Sequence, residues 1–453
     1  MEIKVDISRA KSSAVTKEHG VTPADLKAIE PLVLAAHKRM QTDRKNKTYG
    51  FYDLYKDKAT LSAVKKMARS FKNKGIDNLV VLGIGGSALG ITTLFTALKS
   101  PYHNLLSKEE RNGIPKLFVM DNVDPATFAE MMRICTPENS LYNVISKSGG
   151  TAETLSQFLI VLEELKNSLG GDALKDHLVV TMSPPVKGAK ASPLQHFQKK
   201  YDLPVFHIPL NVGGRFSVFT PVGLFPAAIM GMDVDTLFKG CRAMDKRTSK
   251  ASLMDNPAYL RAAIHYILCF NKNKSMSVML PYSDKLCDVS DWYRQIWAES
   301  LGKIVPATDE IAQYHVGMTP IKALGVTDQH SQLQLYLEGP NDKLLTVLEE
   351  TKFDTKLTIP EGDKAVKSAA YLSGKTMNQL MAAERKATVD SLRECDRPVI
   401  QVKFPKVNEE TIAQFLYMLE VETAMAGHLF GIDPFDQPAV ELIKNFTRKN
   451  MGA

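Results

Sequence analysis

The sequence predicts an α/β protein with two doubly wound parallel-sheet domains in tandem and helices flanking them at both termini. Three observations carry this. Runs of four to six residues rich in Val, Ile, Leu or Phe recur along the chain, each bounded by polar residues or proline. Stretches with apolar residues three or four apart separate these runs. Strands therefore alternate with helices, the pattern of a parallel sheet covered on both faces. A Pro/Gly-rich stretch at 209–232 divides the series in two.

In chain order, residues 23–70 have helical spacing with many lysines between the apolar positions. The first set of strands is 78–83, 116–121, 142–146, 177–181 and 204–209. A Gly-rich turn and a helix at 87–98 follow the first of them, and an apolar helix at 155–165 follows the third. The second set is 275–280, 303–306, 344–348 and 398–403. A long helix over 409–430 ends at Gly431, well placed as a C-cap. The expected division is an N-terminal helical segment (1–60), a first domain (61–235), a second domain (236–430) and a C-terminal helix (431–453).

Bulk properties narrow the function. The chain has 453 residues, more than one ordinary core, and 57 basic against 50 acidic side chains leave a net charge of +7. That surplus suits an anionic small substrate. No Lys/Arg-dense stripe with interleaved aromatics occurs, so a nucleic-acid partner is not expected. Five scattered cysteines without a CxxC pair fit a reducing compartment. Residues 1–17 lack the apolar core of a secretory signal, and the most apolar stretch, 216–232, is broken by Pro221 and Pro226. No membrane association and a cytoplasmic location are the expectation. The ten histidines show no HxH or HExxH pairing, so no metal is expected.

Two loops carry the chemistry. Residues 83–90, GIGGSALG, follow a strand and open a helix, where backbone N–H groups and the helix dipole favour an anion. Forced onto a dinucleotide fingerprint, the loop lacks its acidic residue, since Glu110 lies in a charged polar segment rather than after a strand. A purely structural turn is the other alternative. Residues 146–154, SKSGGTAET, place Ser146, Ser148, Thr151 and Thr154 with Lys147 at another helix entrance. Hydroxyls and amides together can saturate phosphate oxygens. An N-cap needs one such hydroxyl, not four.

These loops, with VGGRFSVFTPVG (212–223), WAESLGK (297–303), DQHSQ (328–332) and FDQPAVELIK (435–444), occur in the order found in the phosphoglucose isomerase family, which the chain resembles over residues 83–444. The loops alone would indicate only a sugar-isomerase (SIS) domain; the later segments are more specific. The resemblance implies two SIS domains, no metal or nucleotide cofactor, and a homodimer with shared active sites. The implied reaction interconverts glucose 6-phosphate and fructose 6-phosphate, in glycolysis and gluconeogenesis. It also assigns phosphate binding to Ser146, Lys147, Ser148 and Thr151, with Gly86 and Ser87 lining the sugar. Gly150 departs from the threonine common in the family, so one phosphate hydroxyl is absent or replaced.

Moving a carbonyl between carbons 1 and 2 of an aldose requires a base, a stabiliser for the enediolate and a donor–acceptor pair for ring opening. Glu299 is the base candidate. Helical spacing puts it at the border of the stripe marked by Val289, Tyr293, Ile296, Trp297 and Leu301, where a carboxylate is partly removed from water. The plain alternative is an exposed glutamate paired with Lys303 at i+4. Arg215, after Gly213 and Gly214, is the only charged residue between His207 and Asp233, so an anionic partner is expected. The resemblance makes it the enediolate stabiliser; a buried structural ion pair is the alternative. His330 is implied to be the ring-opening acid/base, supplied from the other subunit, and its imidazole suits that task. Gln437 and Lys444 lie seven apart, close to two helical turns, with Pro438 suited to the first helical position. The resemblance has Lys444 assist ring opening and Gln437 contact substrate.

Two rivals remain. A non-catalytic sugar-phosphate sensor would keep the loops but has no use for Glu299, Arg215 and His330 together. An isomerase acting on mannose 6-phosphate as well as glucose 6-phosphate is the nearest enzymatic alternative.

Overall fold

The computed structural model describes residues 1–307, 311–363 and 366–452. Twelve strands occur among them: β1 (Lys4–Asp6), β2 (Asn78–Leu82), β3 (Lys116–Met120), β4 (Ser140–Ile145), β5 (Leu178–Met182), β6 (Val205–His207), β7 (Met276–Tyr282), β8 (Lys303–Val305), β9 (Tyr314–Val316), β10 (Thr319–Lys322), β11 (Lys343–Glu350) and β12 (Val399–Phe404). The first sheet has the order β3-β2-β4-β5-β6 and is parallel throughout. Strands β2, β4 and β5 are buried at every residue, which is why they read as unbroken apolar runs rather than alternations. The α/β class and parallel winding expected from the sequence are present.

The second sheet has the order β1-β12-β11-β7-β10, with β7, β10, β11 and β12 parallel and β1 antiparallel along the edge of β12. Each sheet winds outward both ways from its first parallel strand, β2 or β7. A crevice therefore opens at the carboxyl ends of β2 and β4 in one sheet and of β7 and β11 in the other.

Four strands differ from expectation. Residues 303–306 form no part of the second sheet: β8 pairs antiparallel with β9 in a separate two-stranded ribbon, and none of its residues is buried. Strands β1, β9 and β10 were not expected. β1 and β10 are short edge strands, and β10 carries Pro320, which an edge tolerates because one side of the strand needs no donor.

The stretch 216–232 contains the buried helix Pro221–Ile229, and no described helix is long and apolar enough to cross a membrane. The helix Glu409–Leu429 is buried almost along its whole length. It ends as expected at Gly431, whose φ of +72° lets its N–H reach His428 O while Ile432 N–H reaches Gly427 O. That reversal sends residues 433–437 back across the molecule.

The two halves meet through helices Leu89–Leu98 and Cys287–Leu301. The Thr93 hydroxyl donates to the Asp288 carbonyl at 3.1 Å, and the Thr96 hydroxyl donates to the Asp288 carboxylate. The crevices are not equivalent. In the second sheet the carboxylate of buried Glu350 fills the position, accepting from Ser283 Oγ at 2.9 Å and Val407 N–H at 3.2 Å.

Candidate active site

Loops 83–87 and 146–151 leave the adjacent strands β2 and β4 at the first switch point. Thr151 is the N-cap of helix Ala152–Leu169, yet its side chain caps nothing. Its Oγ1 lies 2.9 Å from Ser146 Oγ and 3.5 Å from Ser148 Oγ. Gly149 N–H donates to Ser146 Oγ at 3.1 Å, and Gly150 N–H to Ser148 Oγ at 3.3 Å. Simple capping therefore does not account for the hydroxyls. Three of them face one another at a helix N-terminus, where an anion is favoured. Thr154 takes no part, because its hydroxyl is buried without a partner. Lys147 donates to Leu210 O at 3.1 Å and lines a concavity of about 240 Å³ with Gly213 and Phe216. Burial, and then the charge of Arg215, lowers its pKa from the ordinary value. An incoming anion would offset both effects by favouring the charged ammonium.

The Gly-rich loop touches the arginine segment directly. A Cβ on Gly86 would fall 2.2 Å from Gly214 O and 2.8 Å from Arg215 N, so only glycine allows this approach. Ser87 ends the 3-10 turn that begins at Gly85, beside this junction. The Arg215 side chain is 2% exposed. Its Nε donates to Ser300 Oγ at 2.7 Å, Nη1 to Gln437 Oε1 at 2.7 Å, and Nη2 to Pro434 O at 2.5 Å and Asp436 O at 3.1 Å. Nη1 also lies 3.5 Å from Glu299 Oε2, the anionic partner its isolation predicted. Burial lowers the guanidinium pKa, opposed by Glu299, Asp436 and Asp433.

Glu299 is 35% exposed and accepts from Gln295 Nε2 through Oε1 at 3.2 Å. It lines a cleft of about 750 Å³ together with Gln437 and the 431–440 segment. Lys303 does not pair with it. The 8% exposed Lys303 side chain meets Asp436 Oδ1 at 2.5 Å instead and pins the loop that holds Arg215. Phe435 secures the same loop, stacked on Tyr49 at 3.6 Å and tilted against Phe216 at 5.2 Å.

Gln437 and Lys444 do not share a helix. The C-terminal helix starts at Val440, with Ala439 as N-cap, so Pro438 precedes it and the two-turn spacing does not apply. Gln437 holds Arg215, while Lys444 is exposed and pairs with Glu441 at 2.5 Å. His330 is exposed at the end of the 3-10 turn Thr327–His330 and lines neither the 240 Å³ nor the 750 Å³ concavity. Thus Glu299, Arg215 and Gln437 converge within the chain; Lys444 and His330 stand apart from them.

Sequence reasoning missed Gln295, Ser300 and Phe435. Gln295 was open to detection, since it lies four residues before Glu299 on one helix face. Ser300 and Phe435 act on Arg215 or its loop through contacts between segments far apart in the chain.

Comparison with known proteins places this geometry. Residues 52–451 match the phosphoglucose isomerase family. Glucose-6-phosphate isomerase of Carboxydothermus hydrogenoformans is 42% identical over 453 residues, covering all of this chain and 95% of the relative. The enzyme of that name from Rubrobacter xylanophilus is 37% identical over 436 residues, 96% of this chain and 95% of the relative. A crystal structure of a hypothetical protein from Thermus thermophilus superposes with a TM-score of 0.85 at 33% identity and full coverage of both chains. A glucose-6-phosphate isomerase structure from Chlamydia trachomatis, at 22% identity, shares the fold with a TM-score of 0.72 over 87% of this chain and 73% of that one. With family match, full-length relatives and converging Glu299 and Arg215 in hand, the chain belongs to the phosphoglucose isomerase family.

Proposed function

We propose that the chain performs its family's aldose–ketose isomerisation, interconverting glucose 6-phosphate and fructose 6-phosphate, with Glu299 moving the proton between carbons 1 and 2. The observation that carries this reading is the Glu299–Arg215 pair at 3.5 Å, with Glu299 on the wall of the 750 Å³ cleft and Arg215 buried directly behind it. A carboxylate takes the proton beside the carbonyl, and the positive charge of a guanidinium fixed by four hydrogen bonds beside Glu299 favours the negative charge that builds on the enediolate oxygens. Because Arg215 is already held, it needs no reorganisation when that charge appears.

In this reading Ser146, Ser148, Thr151 and Lys147 hold the phosphate, Gly86 and Ser87 line the sugar, and Gln437 positions Arg215 and meets substrate. His330 and Lys444 open the ring, His330 serving the cleft of a second subunit because it stands apart from Glu299 in its own chain. The active species is then a homodimer with shared sites, in the cytoplasm and without a metal. The division at 60, 235 and 430 completes the proposal.

Isomerisation run in deuterium oxide tests the proton route. Glucose 6-phosphate formed from fructose 6-phosphate is expected to carry solvent deuterium at carbon 2. Product wholly free of deuterium over many turnovers would mean an internal hydride shift and remove the base from the mechanism.

Gly150→Thr tests the phosphate loop. The only neighbour of a Cβ there is Pro193 Cδ at 4.0 Å, so the side chain fits. One added hydroxyl is expected to lower KM by roughly two- to tenfold, the value of one net hydrogen bond. An unchanged KM in steady-state kinetics would place position 150 away from the phosphate.

A further inference from the structure

Helix Lys58–Lys72 carries Lys58, Lys65, Lys66, Arg69 and Lys72 and no acidic residue at all. An exposed helix stabilised by its own surface normally interleaves acids at i+3 or i+4. Here the cations instead border a cleft of about 640 Å³, faced across the gap by Asp235, Phe238 and Arg242 of helix Val234–Thr248. Only Lys65 is neutralised, by Asp235 at 2.5 Å. Among the described residues Lys58, Lys66, Arg69 and Arg242 have no acidic partner. The Arg242 guanidinium lies 5.9 Å above the ring of Tyr55, which is buried at the floor beside Phe238. A neighbouring concavity of about 260 Å³ shares Lys65, Arg69 and Asp235 and adds Lys72, so the positive surface runs on along the helix.

Like charges gathered in a concave surface raise the local potential and repel one another until an anion enters. The unpaired cations lie along two helices rather than around one point. That shape fits a chain of phosphoryl groups better than a single phosphate. None of the residues lining this cleft lines either concavity at Glu299 and Lys147. We propose that it is a second anion site, separate from the catalytic cleft, for a small molecule bearing two or more linked phosphoryl groups. Free polyphosphate and a nucleoside polyphosphate share that chemistry.

The test is calorimetric titration of the full chain with inorganic tripolyphosphate and, separately, with magnesium-free ATP. Saturating fructose 6-phosphate is present in both, to keep the catalytic phosphate loop filled. One binding event per chain is expected, weakening as salt rises. The triple variant Lys66→Ala/Arg69→Ala/Arg242→Ala is expected to bind at least about tenfold more weakly. Its isomerisation rate without added anion should be unchanged, which shows that it is folded. Equal affinity for the two probes would assign the site to the phosphoryl chain alone. Tighter ATP binding would add a nucleoside lying against Tyr55 and Phe238. Three results overturn the proposal: no binding at millimolar anion, binding seen only in a parallel titration from which fructose 6-phosphate is left out, or equal affinity in the triple variant.

Discussion

Glu299→Gln is expected to lower kcat for fructose 6-phosphate conversion by at least about 100-fold, the lower end of what a positioned base contributes, with KM little changed. Glutamine keeps the shape of the side chain, and the phosphate site proposed above is the 146–151 loop, which does not include Glu299. What is lost is the capacity to accept a proton from carbon. A coupled assay without added metal measures both constants. A kcat close to wild type would remove Glu299 from the chemistry; a large rise in KM at constant kcat would make it a binding residue. The same assay with mannose 6-phosphate separates the two isomerase readings, since turnover at a comparable rate would favour the broader specificity.

Arg261→Met is expected to cost about 3–5 kcal/mol of stability at neutral pH, the range for stranding one member of a buried ion pair. Arg261 and Glu422 are both fully buried, joined through Nε and Oε2 at 2.7 Å, and Arg261 Nη1 reaches Thr346 Oγ1 at 3.3 Å. The pair thus ties helix Pro257–Lys272 to helix Glu409–Leu429 and to strand β11. His265 Nδ1 also lies 3.4 Å from Glu422 Oε1, but burial and then the charge of Arg261 push its imidazole down to about 3, so in the wild type the arginine is the partner of the carboxylate.

The pH dependence follows from Glu422, whose carboxyl is raised by burial and lowered by Arg261, with burial the stronger. Without Arg261 its pKa rises further, and the folded state then holds a proton that the unfolded chain releases above about pH 4.5. Stability of the variant is therefore lost as pH rises, and its deficit against wild type should be smaller at about pH 5 than at about pH 8. Glu420, also buried and with both oxygens unpartnered, is raised by burial and pushes wild-type stability in the same direction. Denaturant midpoints at the two pH values measure this. The double variant Arg261→Met/Glu422→Leu should recover much of the loss. Equal losses in the single and double variants would show that cavity volume, not stranded charge, is responsible.

How legible each feature was depended on the range of the interactions that make it. Strands β2, β4 and β5 were readable because burial on both faces leaves an apolar run in the chain itself. Edge strands β1 and β10 lack that mark, and 303–306 misled because a short apolar run is the same in a ribbon as in a sheet. The clustering of the Ser146, Ser148 and Thr151 hydroxyls was readable, since one turn supplies them all. Thr154 does not join them, because three residues further along, the helix turns its side chain into the core. The isolation of Arg215 correctly implied an anionic partner. That the partner is Glu299, and that Lys303 serves Asp436 instead, was beyond i+4 spacing to decide.

The sequence by itself determined the α/β class, the buried parallel strands of the first sheet and the two Gly/Ser/Thr loops. These depend on hydrophobic periodicity and on groups close together in the chain, which the order of residues records directly. The tertiary structure alone decided that Arg215 is held by Ser300, Gln437 and the carbonyls of Pro434 and Asp436, and that Glu350 closes the second crevice. It also separated Gln437 from Lys444 and drew the unpaired cations of helix Lys58–Lys72 opposite Arg242. Those contacts join segments tens to hundreds of residues apart, and they exist only because buried helices and the reversal at Gly431 bring the segments together.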